Sequence, residues 1–486
     1  MHVEVDVSFG LPGFTMVGLP DASVRESRDR VRTAIRNSGF DFPPHRITVN
    51  LAPADLRKAG SAFDLPIALG ILAAQGIVER RHIADLVLLG ELSLDGSIQA
   101  TRGVLPIAAA ARREGLAGIL LPAPNAGEAA IVAGLDVFPV SSLGEAVRTL
   151  NEPTPPAVIP PTSPAAQPDA ADFADVRGQL LARRAVEIAS AGGHNILLVG
   201  PPGAGKTMMA RRVSGILPPL TFDEALEATA VHSVAGLLPA GSGLLIARPF
   251  RAPHHTISDV ALVGGGSQPR PGEVSLAHHG VLFLDEMLEF SRRVLEVLRQ
   301  PIEEGVVTIA RAARTAAFPA RFMLIGAMNP CPCGYAGDGD RECRCTPLQV
   351  ERYRGRLSGP LRDRLDLTVE VPALPPATLG RSPLGESSAL VRARVVAARE
   401  RQARRFASDR IRTNAELTPA RMARFCDMDG DGVRLLNAAA SRLGLSARAY
   451  DRVRKVARTI ADLDASDAIR SDHVGEALQF RMPWHG

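Results

Sequence analysis

Three short stretches of this 486-residue chain carry residues whose types and spacing could do chemistry. The first is GPPGAGKT: Gly200, Pro201, Pro202, Gly203, Ala204, Gly205, Lys206 and Thr207. It has the form G-x-x-x-x-G-K-[ST], follows the apolar run NILLV (195–199) and opens a helical stretch, MMARRV. Glycines there let successive backbone N–H groups curl around phosphate oxygens, and a helix N-terminus adds positive potential. A lysine in this place reaches the terminal phosphates, and the hydroxyl after it can hold Mg²⁺. The expected ligands are ATP and Mg²⁺. Only three of the 56 Lys and Arg residues are lysine (Lys58, Lys206 and Lys455), so a lysine retained here is informative.

The second stretch is VLFLDE, residues 281–286, about 80 residues further on. Four apolar residues predict a buried strand that delivers two carboxylates at its C-terminal edge. Asp285 is expected to hold Mg²⁺ through water, and Glu286 to orient and polarise an attacking water. A third apolar run, RFMLIGAM (321–328), ends in Asn329, whose amide can orient that water.

The third stretch is NPCPCGYAGDGDRECRC (329–345), with four of the chain's five cysteines. Cys331, Cys333, Cys343 and Cys345 could form a four-thiolate Zn²⁺ site. The alternatives are reduced structural thiols or a redox-labile loop. A cross-linked loop there would stiffen the path between Asn329 and Arg364 and leave residues 200–207 untouched. DMDGDG (427–432) mimics the start of a calcium loop, but Ala438 stands where a bidentate Glu is needed, so a helix-capping loop is expected. His254–His255 and His278–His279 are adjacent pairs. Neighbouring side chains point apart in regular structure, which argues against shared ligation.

The elements that must position these groups divide at NEPTPPAVIPPTSPAAQPDA (151–170), where seven prolines in twenty residues read as a linker. Before it, 1–150 is mixed α/β. Residues 3–9 and 45–51 alternate like half-buried strands, 22–37 and 104–114 have helical character, and 86–89 and 118–121 are short apolar strands. After it, 171–372 alternates apolar strands with helices and predicts a mostly parallel sheet. Residues 373–486 turn helical and arginine-rich. Net charge is +4, which is weak evidence for a nucleic-acid partner. The run 392–412 has eight arginines against two acids and reads equally as a nucleic-acid surface or a solvated helix face. The N-terminus lacks signal-peptide character and the longest apolar stretch, Leu65–Ala74, is short of a membrane span, so a cytoplasmic protein is expected.

The order phosphate loop, HHGVLFLDE, ARFMLIGAMNP and SGPLRDRLDL resembles the AAA+ ATPases of the magnesium-chelatase group, and in particular the ComM/YifB family of Mg-chelatase-like proteins. The likeness covers nearly the whole chain, including VGLPDASVRESRDRVRTAIRNSGF and LSARAYDRVRKVARTIADL. It implies a Lon-like (S5-type) N-terminal domain, an AAA+ core and a helical lid. It implies that Asn329 is sensor 1, Arg364 the arginine finger offered to a neighbouring subunit, and Arg448 sensor 2 on the lid. It further implies a homo-oligomeric ring, a hexamer, that hydrolyses ATP and acts on DNA by translocation and branch migration during recombination of incoming DNA. Within that resemblance EGVVTIARAARTAAFPARF (304–322) is a channel hairpin, with Arg311 and Arg314 as phosphate contacts. The family usually carries a further strand before VEVDVSFGLPGF, which implies an unpaired edge at residues 3–9. The positions of Lon's catalytic serine and lysine fall on Ala62 and near Leu105, so the domain is expected to be non-proteolytic. A protein-remodelling or metal-insertion ATPase is the alternative from the same group, although no Asp-x-Ser-x-Ser adhesion motif is present.

Overall fold

The computed structural model describes all of the chain except residues 55–57, 59, 80, 82, 153–154, 158–170, 239–242, 267–268, 312–313, 338, 340, 375–383, 410 and 482–486. Most of the proline-rich segment 151–170 therefore lies outside the described residues. Two compact units result: Met1–Ala165 with His232–Leu245, and Ala166–Val231 with Ile246–Gly486. Residues 232–245 come after the phosphate loop in sequence yet belong to the first unit. There Gly103 N donates to Ser233 O (3.2 Å) and Ser233 Oγ donates to Glu128.

In the first unit β1 (His2–Ser8) and β2 (Gly13–Val17) flank β3 (Arg46–Ala52), antiparallel and parallel respectively. β1 is an edge of this sheet. The alternating residues Ile47, Val49 and Leu51 turn inward onto Val31, Ile35 and the apolar helix Asp64–Ala74. β4 (Leu86–Leu88), β7 (Gly118–Pro122) and β8 (Asp136–Val140) form a parallel sheet, and β5 (Glu91–Leu92) pairs with β6 (Ile98–Gln99). Lys58 donates to Pro53 O, whereas Ser61 donates to Glu91. Lys58 and Ser61 are thus each bonded to another group.

Among the described residues, the main sheet of the second unit has five parallel strands. β9 (Ile196–Val199) lies between β17 (Leu367–Glu370) and β16 (Met323–Met328), followed outward by β13 (Val281–Leu284) and β10 (Phe250–Arg251). All four pairings are parallel. The strands read as unbroken apolar runs because both sheet faces are covered. Successive side chains alternate between two cores: Ile196, Leu198, Phe283 and Ile325 in one, Leu197, Leu282, Leu284 and Leu324 in the other. The first core continues into the C-terminal helices through Val391, Val395, Val456 and Ile460. Of the arginine-rich run, Arg392 donates to Gly215 O (2.7 Å), Arg399 to Ser190 O (2.8 Å), and Arg405 pairs with Asp462. These three arginines tie helix Ser388–Arg405 to its neighbours.

Two smaller ribbons complete the unit: β11 (Gly264–Gly265) with β12 (Arg270–Pro271), and β14 (Val306–Arg311) with β15 (Arg314–Pro319). The second is the expected hairpin, in antiparallel register that sets Arg311 opposite Arg314. Asp429 caps helix Gly430–Leu443 by accepting from Gly432 N (2.6 Å), so DMDGDG is a capping loop.

Candidate nucleotide site

The sheet sorts the candidate residues by strand end. Ligands of open parallel sheets bind beyond the C-terminal ends of the strands, where connections diverge. β9 ends at Val199, and Gly200–Gly205 carry the chain into helix Lys206–Ile216. Gly203 and Gly205 have φ of +79° and +91°, a region that favours glycine and curls the backbone N–H groups inward. Lys206, only 8% exposed, donates to Gly200 O (2.6 Å), Pro201 O (2.9 Å) and Asn329 Oδ1 (3.1 Å). Burial pushes its ammonium down to about 8, against the opposing pull of Asp285 and Glu286.

β13 delivers the carboxylates beside it. Thr207 Oγ1 donates to Asp285 Oδ2 (2.7 Å), and Asp285 Oδ1 accepts from Glu286 N (3.0 Å). Glu286 itself is left-handed, with φ +49°. That conformation costs a non-glycine residue roughly 1–3 kcal/mol and is kept where the surroundings impose it. It leaves the Glu286 side chain exposed beyond the strand end, with His255 Nδ1 at 3.7 Å. Sequence reasoning considered His255 only as half of a pair and missed this contact. It also missed Gln179, whose Nε2 donates to Pro372 O (2.6 Å) and Ala204 O (3.5 Å), joining the phosphate loop to the segment after β17. A lone Gln between a glycine and a leucine pair gives no local signal.

The two arginines lie at the other end of the sheet. Asn195, just before β9, donates through Nδ2 to Arg364 O (3.0 Å) and accepts Leu324 N (2.8 Å). Arg364 pairs with Glu303; burial, then Arg299, Arg448 and Arg452, hold its pKa below the ordinary arginine value. Arg364 and Arg448 line a cavity of about 730 Å³ bounded by the strand starts Asn195, Gly280 and Met323. Among the described residues, nine Lys and Arg line it against six Asp and Glu. β9 with its flanks, at ~3.3 Å per residue, puts roughly 15 Å between this end and the phosphate loop. The structure thus unites Lys206, Thr207, Asp285, Glu286 and Asn329, and separates Arg364 and Arg448 from them.

Two further clusters differ in character. Cys331, Cys333, Cys343 and Cys345 carry free thiols whose sulfurs all lie within 4.8 Å of one another. Cys331 Sγ is 3.3 Å from Cys333 Sγ and 3.7 Å from Cys343 Sγ, and the last two are 3.6 Å apart. The His278–His279 pair corrects the sequence argument: the rings lie 3.8 Å apart and both Nε2 atoms bond Glu227 Oε2 (3.0 and 2.7 Å). His279 is left-handed, φ +56°, which breaks the alternation that would send neighbours apart. His278 Nδ1 accepts from Arg321 N (3.0 Å), so its Nε2 carries the proton given to Glu227. Burial, then His279, pushes the His278 pKa down to about 4.

Comparison with known proteins accounts for nearly all of this sequence. Residues 172–379 match the family model described as magnesium chelatase, subunit ChlI; 3–125 match subunit ChlI of Mg-chelatase, and 385–481 its C-terminal region. The chain is 46% identical over 487 residues to YifB of Escherichia coli (strain K12), covering 99% of this chain and 93% of that protein. It belongs to the ComM/YifB family of Mg-chelatase-like AAA+ proteins. Competence protein ComM of Haemophilus influenzae is 45% identical over 487 residues, with 99% and 94% coverage. The magnesium-chelatase 38 kDa subunit of Rhodobacter capsulatus is 26% identical over 152 residues, 28% of this chain and 43% of that protein. The expected fold class holds: a mixed α/β chain with a parallel AAA+ sheet and a C-terminal helical region. Among the described residues no helix is long and apolar enough to cross a membrane.

Proposed function

We propose that this chain is a Mg²⁺-dependent ATPase that works as a hexameric ring on DNA, driving branch migration during recombination of incoming DNA. The observation that carries the ATPase reading is the convergence of Lys206, Thr207, Asp285, Glu286 and Asn329 at one sheet edge. Glycine backbone and Lys206 bind the phosphates. Thr207 and Asp285, hard oxygen donors already 2.7 Å apart, suit Mg²⁺ and would hold it. The metal supplies charge neutralisation at the phosphates. Glu286 takes a proton from the attacking water at its carboxylate, and Asn329 orients that water.

Arg364 and Arg448 point to assembly. They line a cavity at the strand starts, a strand's length from their own phosphate loop, and serve the ATP of a neighbour, so each subunit carries half of two sites. The DNA reading rests on the resemblance to competence protein ComM and on the hairpin that sets Arg311 opposite Arg314. We place zinc in the four-cysteine cluster. Four thiolates at ~2.3 Å from a tetrahedral Zn²⁺ stand ~3.8 Å from each other, close to the sulfur spacing here.

ATP-dependent strand displacement on a forked duplex tests the DNA reading. The expected result is displacement that requires Glu286 and turnover that rises with DNA. Turnover indifferent to DNA, with no strand displaced, would favour the remodelling or metal-insertion activity of the chelatase group.

A further inference from the structure

We propose that the four-cysteine cluster is a metal site that sets nucleotide affinity, because it seats the loop after Asn329 against the phosphate loop. This rests on the zinc reading above. The cluster begins two residues beyond Asn329, whose Oδ1 accepts from Lys206. Cys331 is fully buried and organises a tight turn: Gly334 N donates to its carbonyl (3.0 Å) and Ala336 N to its Sγ (3.3 Å). Gly334 has φ +89°, and a Cβ built there would meet Pro202 Cδ at 2.6 Å and Cγ at 2.9 Å. The turn therefore lies directly on the phosphate loop, contrary to the expectation that the cluster leaves residues 200–207 untouched. The glycine is required twice, by its left-handed backbone and by the closeness of Pro202.

The second cysteine pair anchors the other side. Cys345 immediately precedes Thr346, which caps helix Pro347–Arg354 through a reciprocal box with Gln349. From that helix Arg354 Nε reaches back to Pro330 O (3.2 Å). Four ligands thus join the end of β16 to the start of a helix, and the turn between them backs Pro202. A metal bound by all four removes the mutual repulsion of the thiolates and closes the loop. Without it, the backing of Pro202 and the position of Asn329 are both released. Metal content and phosphate binding are thereby linked, beyond any effect on turnover.

The test uses the full chain purified under reducing conditions without chelator, with fluorescent ADP in Mg²⁺-free buffer. The expected metal content is about one Zn²⁺ per chain. Stripping zinc with a zinc-selective chelator should weaken ADP binding about tenfold, the scale of one charge-assisted hydrogen bond. Adding Zn²⁺ back should restore it. Cys343→Ser should behave like stripped protein, whereas Cys343→His keeps a zinc ligand and the affinity. Gly334→Ala should retain zinc yet bind ADP more weakly, because its methyl group meets Pro202. Zinc present, but ADP affinity unchanged both on its removal and in Gly334→Ala, overturns the linkage and leaves the zinc reading standing. No zinc in the purified chain overturns both.

Discussion

Raising the pH should weaken nucleotide binding through one buried lysine. Lys206 is 8% exposed, ringed by two carbonyls and an amide oxygen, and burial brings its ammonium down to about 8. Phosphate oxygens bind the charged form, so the bound state keeps the proton to higher pH. Binding therefore takes up a proton above about 8, and affinity is level below that value and falls above it. A group with pKa near 8 is about nine-tenths protonated at pH 7 and about one-tenth at pH 9, so Kd should rise about tenfold between them. The phosphates do not compensate, because a phosphate monoester completes its ionisation near ~6. Isothermal titration of ADP at pH 7, 8 and 9, in buffers of different ionisation heat, reads both Kd and the proton taken up. Lys206→Arg should flatten the profile in so far as it binds, since guanidinium stays charged. Constant or tightening affinity up to pH 9, with no proton uptake, would refute the reasoning.

Three other outcomes are expected from the same geometry. Arg364→Ala and Arg448→Ala should each lose turnover alone and regain part of it when mixed with Lys206→Ala subunits; no recovery in rings shown to exchange subunits contradicts action on a neighbour's ATP. Replacing Arg311 and Arg314 together with alanine should weaken DNA binding equally for all sequences and reduce its logarithmic salt slope by about 2, leaving basal turnover intact. An unchanged slope in filter-binding titrations removes the hairpin from the DNA interface. His278, 1% exposed and pushed down from 6.5 to about 4, binds protons more readily unfolded than folded across that window. Its share of stability is full above 6.5 and lost as pH falls towards 4, up to about 3 kcal/mol. Thermal melts should fall more steeply over that range for the native chain than for His278→Gln.

What was legible in the sequence is what local pattern controls. NILLV, VLFL and RFMLIGAM had to be strands because unbroken apolar runs of that length suit a sheet covered on both faces. The phosphate loop was legible because its glycines and Lys-Thr pair sit between such a run and a helix. Long-range packing was not legible. Nothing in LSARAYDR says that Arg448 lines the same cavity as Arg364 beyond the strand starts; that depends on helix Ala447–Leu463 sharing a core with the sheet. The contact of Gly334 with Pro202 joins residues far apart in the chain, and a glycine among glycines gave no hint of it. His278 and His279 face one partner because of one dihedral, the positive φ at His279, which no residue type signals there. The transfer of residues 232–245 to the first unit likewise comes from contacts such as Ser233 with Glu128 rather than from any break in composition.

The claim that bears most weight is that Glu286 activates water for ATP hydrolysis beside a phosphate loop that binds without it. Steady-state phosphate release and ATP affinity, measured with Mg²⁺ on the native chain and on Glu286→Gln, test it in one comparison. Mg²⁺-dependent turnover is expected for the native chain, and for Glu286→Gln native-like ATP affinity with turnover reduced at least about 100-fold, the scale of a lost general base. Equal turnover in the two proteins, or loss of ATP binding in Glu286→Gln, would contradict it.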